Sequence, residues 1–401
     1  MKILQLCNKA PFPANDGSSI AIYNMARGFI QNGVELHLLT INTKKHFKPT
    51  ENIPQEFLEN THYEAIFRNT DTSFWGTLLN LFSDQSYFES RFFFPEFEQR
   101  LIEKLNEIQF DVIQLEGLFM CNYISTIRKY STAKIVLRAH NVEHIIWERH
   151  IQSEKNILKR FYLKIQNNRL KKSEILQLQK VDAIVPITDA DQVWMEKYVS
   201  PQRLKTILTG VDLKDYSLER SVDFNSNSIF YFGSMDWMPN QQAVWWFLQN
   251  CWPLILERIP NCKFVLAGRN IPVDFKRMEG QHIVIQENVA NPIDVYSKFN
   301  VMLVPLRSGS GLRIKIVEGL SYGKPIVSTQ VGAEGIAVES GKNIVIVDNP
   351  KEFSEEVIRI IQNSEWCENL ERNARSFAAE NLDNTKITST LVEFYQNLIH
   401  T

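Results

Sequence analysis

Short apolar runs, many rich in β-branched residues, recur along this chain and alternate with segments of helical periodicity. In the first half they are Ile3–Cys7, Val34–Ile41, Val112–Leu115, Lys134–Arg138 and Ala183–Ile187. In the second half they are Ile229–Phe232, Phe264–Ala267, Ile283–Ile285, Val301–Leu306, Ile326–Ser328 and Ile344–Val347. Runs of this length read as strands buried on both faces. Between them, Ser19–Asn32 places Ile20, Tyr23, Ala26, Phe29 and Ile30 on one stripe, with Gly33 as a stop. Gln241–Leu256 and Glu355–Gln362 behave similarly, and Asn349-Pro350 has the form of an N-cap followed by proline at the first helical position. The alternation predicts an α/β protein with parallel sheets.

A chain of 401 residues exceeds one average hydrophobic core, so two or three domains are expected. The loop-like segment VSPQRLKT places a break near 195–208, giving domains at 1–200 and 201–375. The stretch Cys367–Ile399 is helical in pattern, and its last part, 376–401, is expected to pack back on the first domain. A net charge of −2 provides no global field for nucleic acid, and none is expected as a partner. Cys7, Cys121, Cys251, Cys262 and Cys367 are scattered without a CxxC pair, the pattern of reduced core thiols in a cytoplasmic protein. The opening MKILQLCNKAPFP reads as a first strand entering a loop, not as a signal peptide. No apolar stretch reaches the roughly 18 residues of a membrane span, so membrane contact would be peripheral, at the inner face.

Two segments interrupt the alternation. The Phe-rich stretch Ser73–Phe97, around RFFFPEF, reads either as a packing insertion or as an acceptor lid. Glu143–Lys180 reads as a long helix or helix pair. Its Lys155, Lys159, Arg160, Lys164, Arg169, Lys171 and Lys172 form either a solvated face or a surface for a membrane or polyanion.

The strongest chemical signal is VMLVPLRSGSGLRIKIVEGLSYGKPIVSTQVGAEGI at 301–336. A buried strand ends at Pro305, a Gly/Ser loop follows, and a helix begins near Leu312. Backbone N–H groups of such a loop at a helix N-terminus suit a phosphate or other anion. Arg313 and Lys315 add positive charge, and Glu318 lies one to two turns into the helix.

This unit resembles the donor site of retaining, family-4-like glycosyltransferases with the GT-B fold, in which two Rossmann-like domains with parallel sheets face each other across a cleft. That family carries E-x7-E here. Glu318 matches the second glutamate, whose implied partner is the ribose; Ser310 stands where the first would be. The loop Gly233-Ser234-Met235-Asp236 matches the family's glycine loop without its Arg and Lys, which implies that Arg313 and Lys315 supply the diphosphate's counter-charge. Asn288 and Val289 match the stretch holding the nucleobase, Ser310, Gly311 and Leu312 the donor loop, and Thr209-Gly210-Val211-Asp212 the NGVD motif. VLAGRN at 265–270 is similar to the family's LxxxG strand end. Gly17 and Ser18, after the first strand, resemble the glycine loop beneath the diphosphate; on their own they read equally as a β–α turn with Ser18 or Ser19 as N-cap.

Glu116 and His140 follow apolar runs and are expected to project from strand ends into the cleft as catalytic groups, beside Arg313 and Lys315. Cleavage of a sugar–diphosphate bond builds positive charge on the sugar and negative charge on the leaving group. Fixed cations and N–H dipoles therefore favour the transition state. The resemblance implies a nucleotide-sugar donor such as a UDP- or GDP-sugar, no separate cofactor, no metal, and a glycan, lipid-linked or small-molecule acceptor, as in polysaccharide biosynthesis. A dehydrogenase would require GxGxxG after the first strand and a P-loop enzyme GxxxxGK[ST]; neither occurs at its place. A nucleotide-sugar epimerase and a non-catalytic binding protein are the remaining alternatives.

Overall fold

The structure, a computed structural model, describes residues 1–14, 17–44, 47, 49, 51, 53–69, 86–154, 156–216, 227–289, 291–309 and 311–400. It divides into two compact units. One comprises Met1–Thr209, Ser310–Leu312 and Asn384–Thr401, the other Gly210–Gly309 and Arg313–Asp383.

The first unit contains β1 (Lys2–Cys7), β2 (Glu35–Thr43), β3 (Glu64–Arg68), β4 (Val112–Glu116), β5 (Lys134–Ala139) and β6 (Ala183–Pro186), in sheet order β3-β2-β1-β4-β5-β6. Every pairing is parallel. Both faces are covered, which explains the continuous apolar runs. Ile3 and Cys7 enter one buried cluster, while Leu4 and Leu6 enter the other. On the Ile3 side lie the helices Gly17–Gln31 and Asn384–Ile399, the latter contributing Leu391 and Tyr395 to the core. They approach closely at Gly28, where a Cβ would lie 2.1 Å from the Thr388 hydroxyl oxygen. Gly33, at φ +70°, ends the first helix.

The edge strand β3 falls outside the apolar runs. Its residues are mostly half-buried, and its charged ends are tied outward, Arg68 to Glu96 at 2.9 Å and Glu64 to Arg100 at 2.6 Å and Lys104 at 2.8 Å. The basic segment is a helix pair, Glu143–Ser153 and Ile157–Lys180. Residues 73–85 of the Phe-rich stretch lie outside the described residues; within its described part Phe88, Phe92 and Phe97 are buried.

The second unit repeats the topology. Its strands β7 (Ser228–Ser234), β8 (Lys263–Arg269), β9 (Ile283–Glu287), β10 (Val301–Val304), β11 (Ile326–Ser328) and β12 (Val345–Ile346) are ordered β12-β11-β10-β7-β8-β9, all parallel. Counted from its own first strand, each sheet thus reads 3-2-1-4-5-6. In such sheets ligands bind outside the carboxyl ends of the strands, where the order reverses. Those reversals fall between β1 and β4 and between β7 and β10.

The Gln241–Leu256 segment is two helices, Met238–Asn250 and Trp252–Arg258, interrupted at Cys251. Asn349 caps Pro350–Gln362 as the sequence predicts, its side chain accepting from the Lys351 and Glu352 amides. The Gly-Lys-Pro segment closes the helix Ile314–Ser321: Gly323, at φ +66°, donates to the Leu320 carbonyl and Lys324 to that of Gly319. This paired capping satisfies the last turn and turns the chain into β11. The Lys324 ammonium is consumed internally, bonded to the Phe299 carbonyl at 3.0 Å.

Candidate active site

In the second unit, the end of β7 and the segment leaving it at the switch point carry Gly233, Ser234 and Asp236, and the segment leaving β10 carries Arg313, Lys315 and Glu318. Lys315, in the first turn of Ile314–Ser321, reaches back to β7. Its ammonium donates to the Tyr231 hydroxyl at 2.7 Å and to Asn240 Oδ1 at 3.1 Å. The Tyr231 hydroxyl donates in turn to Asn240 Oδ1 at 2.5 Å, and burial keeps that phenol neutral. An ammonium has three protons, so two internal acceptors leave one for a ligand. Loss of hydration pushes the Lys315 pKa down to about 7; the Arg313 charge adds to this and Glu318 opposes it.

The glycine edge of β7 is shaped around this lysine. A Cβ on Gly233 would fall 2.8 Å from Lys315 Nζ. Beside it, Gly268 at φ +151° lies so close to β7 that its Cβ would be 1.8 Å from the Gly233 carbonyl oxygen. Asn240 Nδ2 holds the Ser234 carbonyl at 2.7 Å, and the Ser234 hydroxyl bonds Asp236 at 2.6 Å. Gly233, Ser234 and Asp236 are thus gathered with Lys315 as one loop cluster. Tyr231 and Asn240, to which the sequence reading assigned no role, are its supports. The signal was faint: Tyr231 lies within an apolar strand run, and Asn240 follows the Gly233–Asp236 loop without a motif of its own.

Arg313 is buried, its guanidinium 5.9 Å from the Trp237 ring centroid and 4.0 Å from a Glu334 carboxylate oxygen. Trp237 and Arg313 both approach Gly309, at φ +110°. Gly311 has φ +79°, Leu312 is half-buried, and Ser310 lies outside the described residues. Glu318 is buried in the second turn of the helix and accepts from the Tyr296 hydroxyl at 3.3 Å. Burial raises its carboxyl to about 7 against the opposing pull of Tyr296 and Lys315. Asn288 follows β9 at φ +55°, its amide bonded to the Gly268 carbonyl at 2.7 Å, and Val289 continues that loop.

In the first unit the expectation for Glu116 is corrected. Glu116 does not project from its strand end. It is 1% exposed, and its Oε1 accepts from Gln5 and Gln114, each at 2.5 Å. Its Oε2 meets Arg138 at 3.3 Å and His140 Nε2 at 2.5 Å. Arg138, in register with Glu116 on β5, is fully buried and also donates to the Ala21 carbonyl and the Thr209 hydroxyl, each at 3.2 Å. This charge network holds the carboxyl down at about 2, the Arg138 charge and the His140 bond outweighing burial. Glu116 thereby orients the His140 ring through its Nε2.

Gly17 and Ser18 open the helix Gly17–Gln31. Because that helix starts at Gly17, neither Ser18 nor Ser19 is its N-cap; both stand inside the first turn. Asn15 and Asp16 lie outside the described residues.

Residues 15–215 match the family described as Glycosyltransferase Family 4, and residues 226–363 match Glycosyl transferases group 1. An uncharacterized 44.6 kDa protein in the cps region of Klebsiella pneumoniae is 21% identical over 417 residues, covering 97% of this chain and 98% of that protein. Anabaena HepE, solved in complex with UDP, shares the fold with a TM-score of 0.68 at 14% identity, covering 99% of this chain and all of that one. Sucrose-phosphate synthase from Thermosynechococcus elongatus gives a TM-score of 0.69 at 15% identity over the full length of both chains. With a family match across half of its residues and the GT-B fold shared with these structures, the chain belongs to the family 4-like glycosyltransferases.

Proposed function

We propose that this glycosyltransferase takes a nucleoside-diphosphate sugar as donor and passes the sugar to a hydroxyl of a glycan, lipid-linked or small-molecule acceptor. The observation that carries the reading is the Lys315 ammonium, fixed by Tyr231 and Asn240 against the glycine edge of β7. A cation held at a glycine backbone, at the switch point of a parallel sheet, suits a diphosphate. Arg313 supplies a second positive charge two residues away in the chain. HepE, of the same fold, was solved with UDP, which makes uridine diphosphate the first nucleotide to test.

In this reaction the bond from the anomeric carbon to the β-phosphate oxygen breaks, a bond to the acceptor oxygen forms, and the acceptor's hydroxyl proton passes to the departing diphosphate. The leaving diphosphate gains negative charge as the bond stretches, and Lys315 and Arg313 stabilise it there. Asn288 and Val289 are assigned to the nucleobase and Glu318 to the ribose hydroxyls. Gly17 and Ser18 are assigned to the diphosphate side of the first unit, with Gly311 and Leu312 lying in the donor loop together with Ser310. His140, aligned by Glu116, is assigned to the sugar or acceptor. The family resemblance of 301–336 supports retention at the anomeric carbon. The two cations support turnover without a metal or separate cofactor.

The test is titration with UDP and GDP, followed by incubation with the corresponding sugar nucleotides. Saturable nucleotide binding that Lys315→Ala weakens, together with release of free nucleoside diphosphate, is the expected result. Binding of none of these nucleotides would overturn the assignment. Turnover in EDTA and the anomeric proton coupling of the product then test metal independence and retention.

A further inference from the structure

We propose that the outward face of the helix Ile157–Lys180 docks this protein on an anionic phospholipid surface, with Ile157, Leu158 and Phe161 entering the headgroup layer and Lys164, Lys171 and Lys172 lying over the phosphates. The helix has 24 residues, about 36 Å at 1.5 Å per residue. One face is firmly seated: Leu163, Gln166, Leu170, Glu174 and Leu178 are buried. Glu174 accepts from the Glu143 amide at 2.8 Å and from His144 Nδ1 at 2.6 Å, fastening this helix to the one before it.

The opposite face carries a different chemistry. At 100° per residue, Ile157, Phe161, Lys164, Asn168, Lys172 and Leu176 fall on one side of the cylinder. Ile157 and Leu158 are each 82% exposed and Phe161 65%. These three and Leu176 are four of the twelve large apolar side chains exposed among the described residues, gathered on one helix. From 157 to 172 the chain places six Lys or Arg and no Asp or Glu, within a protein of net charge −2. The local charge is thus opposite in sign to that of the whole chain.

Charge complementarity selects the occupant. A second copy of this face would meet like charge. A soluble polyanion would satisfy the lysines but leave Ile157, Leu158 and Phe161 in water. An anionic bilayer surface satisfies both, since it offers phosphates above and an apolar phase beneath. The helix is too polar to span, and no helix among the described residues is long and apolar enough to cross a membrane. This docking does not depend on the assigned donor, and its test uses none.

The experiment is co-sedimentation of the full chain with phosphatidylcholine vesicles, with and without phosphatidylglycerol, at about 0.1 M salt. Partitioning onto the phosphatidylglycerol vesicles, lost on raising salt, is the expected result. The combined substitution Ile157→Ser, Leu158→Ser, Phe161→Ser should lower the partition coefficient by about tenfold or more. Lys164→Glu, Lys171→Glu, Lys172→Glu should do the same. All six positions are exposed, so unchanged melting temperatures are expected to show that both variants fold. Absence of sedimentation with anionic vesicles would overturn the proposal. So would vesicle binding indifferent to both variants. Binding that the serine variant retains while heparin displaces it would instead identify a polyanion surface and sink the membrane reading.

Discussion

The ammonium of Lys315 lies 2.7 Å from the Tyr231 hydroxyl, so the cation assigned to the leaving group is held in place from the middle of a neighbouring strand. Tyr231→Phe deletes one of its two internal acceptors and makes the charged form costlier. The descending limb of kcat/KM for donor, set by Lys315 in the free enzyme at about 7, should move to lower pH. Asn240→Asp adds a carboxylate 3.1 Å away and should move the same limb upward. A pH profile of both variants decides the matter, because loss of packing alone does not produce opposite shifts.

Nucleotide affinity should fall as pH rises through neutrality. Lys315 loses its proton near pH 7, and Glu318, raised to about 7, gains negative charge over the same interval. Both changes disfavour a diphosphate. Binding one raises the lysine pKa, so protons are taken up on binding near neutral pH. Calorimetry of UDP in buffers of different ionisation enthalpy measures that uptake. A dissociation constant flat from about pH 6 to 8 would refute it.

Lys315→Ala should cost about 10² to 10³ in turnover, the scale for one transition-state electrostatic donor, with little change in melting temperature. Donor turnover at saturating sugar nucleotide is the measurement.

Gly233→Ala and Gly268→Ala should separate binding from folding. The first places a methyl 2.8 Å from a lysine tip that can swing away, so the fold survives while nucleotide affinity drops. The second drives a methyl to 1.8 Å from a backbone oxygen at a positive φ, with a stability loss of about 3 kcal/mol or more. Thermal melts paired with UDP titrations distinguish the two.

Glu116→Gln leaves Arg138 buried without its anion, for a loss of about 3–5 kcal/mol at neutral pH. The native carboxyl sits at about 2, below an unfolded value near 4.3. Its stabilisation is therefore complete above the unfolded value and fades as pH falls toward 2. The gap between wild type and variant in urea melts should narrow between about pH 5 and pH 2.5.

The parallel α/β architecture was legible because strands covered on both faces leave apolar runs in the sequence. β3 was not, since an edge strand with Glu64 and Arg68 at its ends and a half-exposed middle carries no such run. The 301–336 unit was legible from its glycines, Arg313 and Lys315, all of which depend on chain-local chemistry. What supports Lys315 was hidden: Tyr231 and Asn240 come from 84 and 75 residues away in sequence and are of types that also serve as ordinary core and loop residues. Glu116 misled in the opposite direction. A carboxylate after an apolar run suggests a strand exit, whereas pairing with Arg138 in register lets it remain inside.

The helix Asn384–Ile399 is made after the whole second unit, yet it supplies Leu391 and Tyr395 to the core of the first, and the Tyr395 hydroxyl bonds Gln114 beside Glu116 at 2.5 Å. During synthesis the first sheet must therefore wait, one flank covered only in part by Gly17–Gln31, while nearly two hundred further residues are added. A fragment cut at the boundary would remain unfinished however it was expressed. Joining residues 384–399 ahead of Met1 by circular permutation is the way to obtain that half alone.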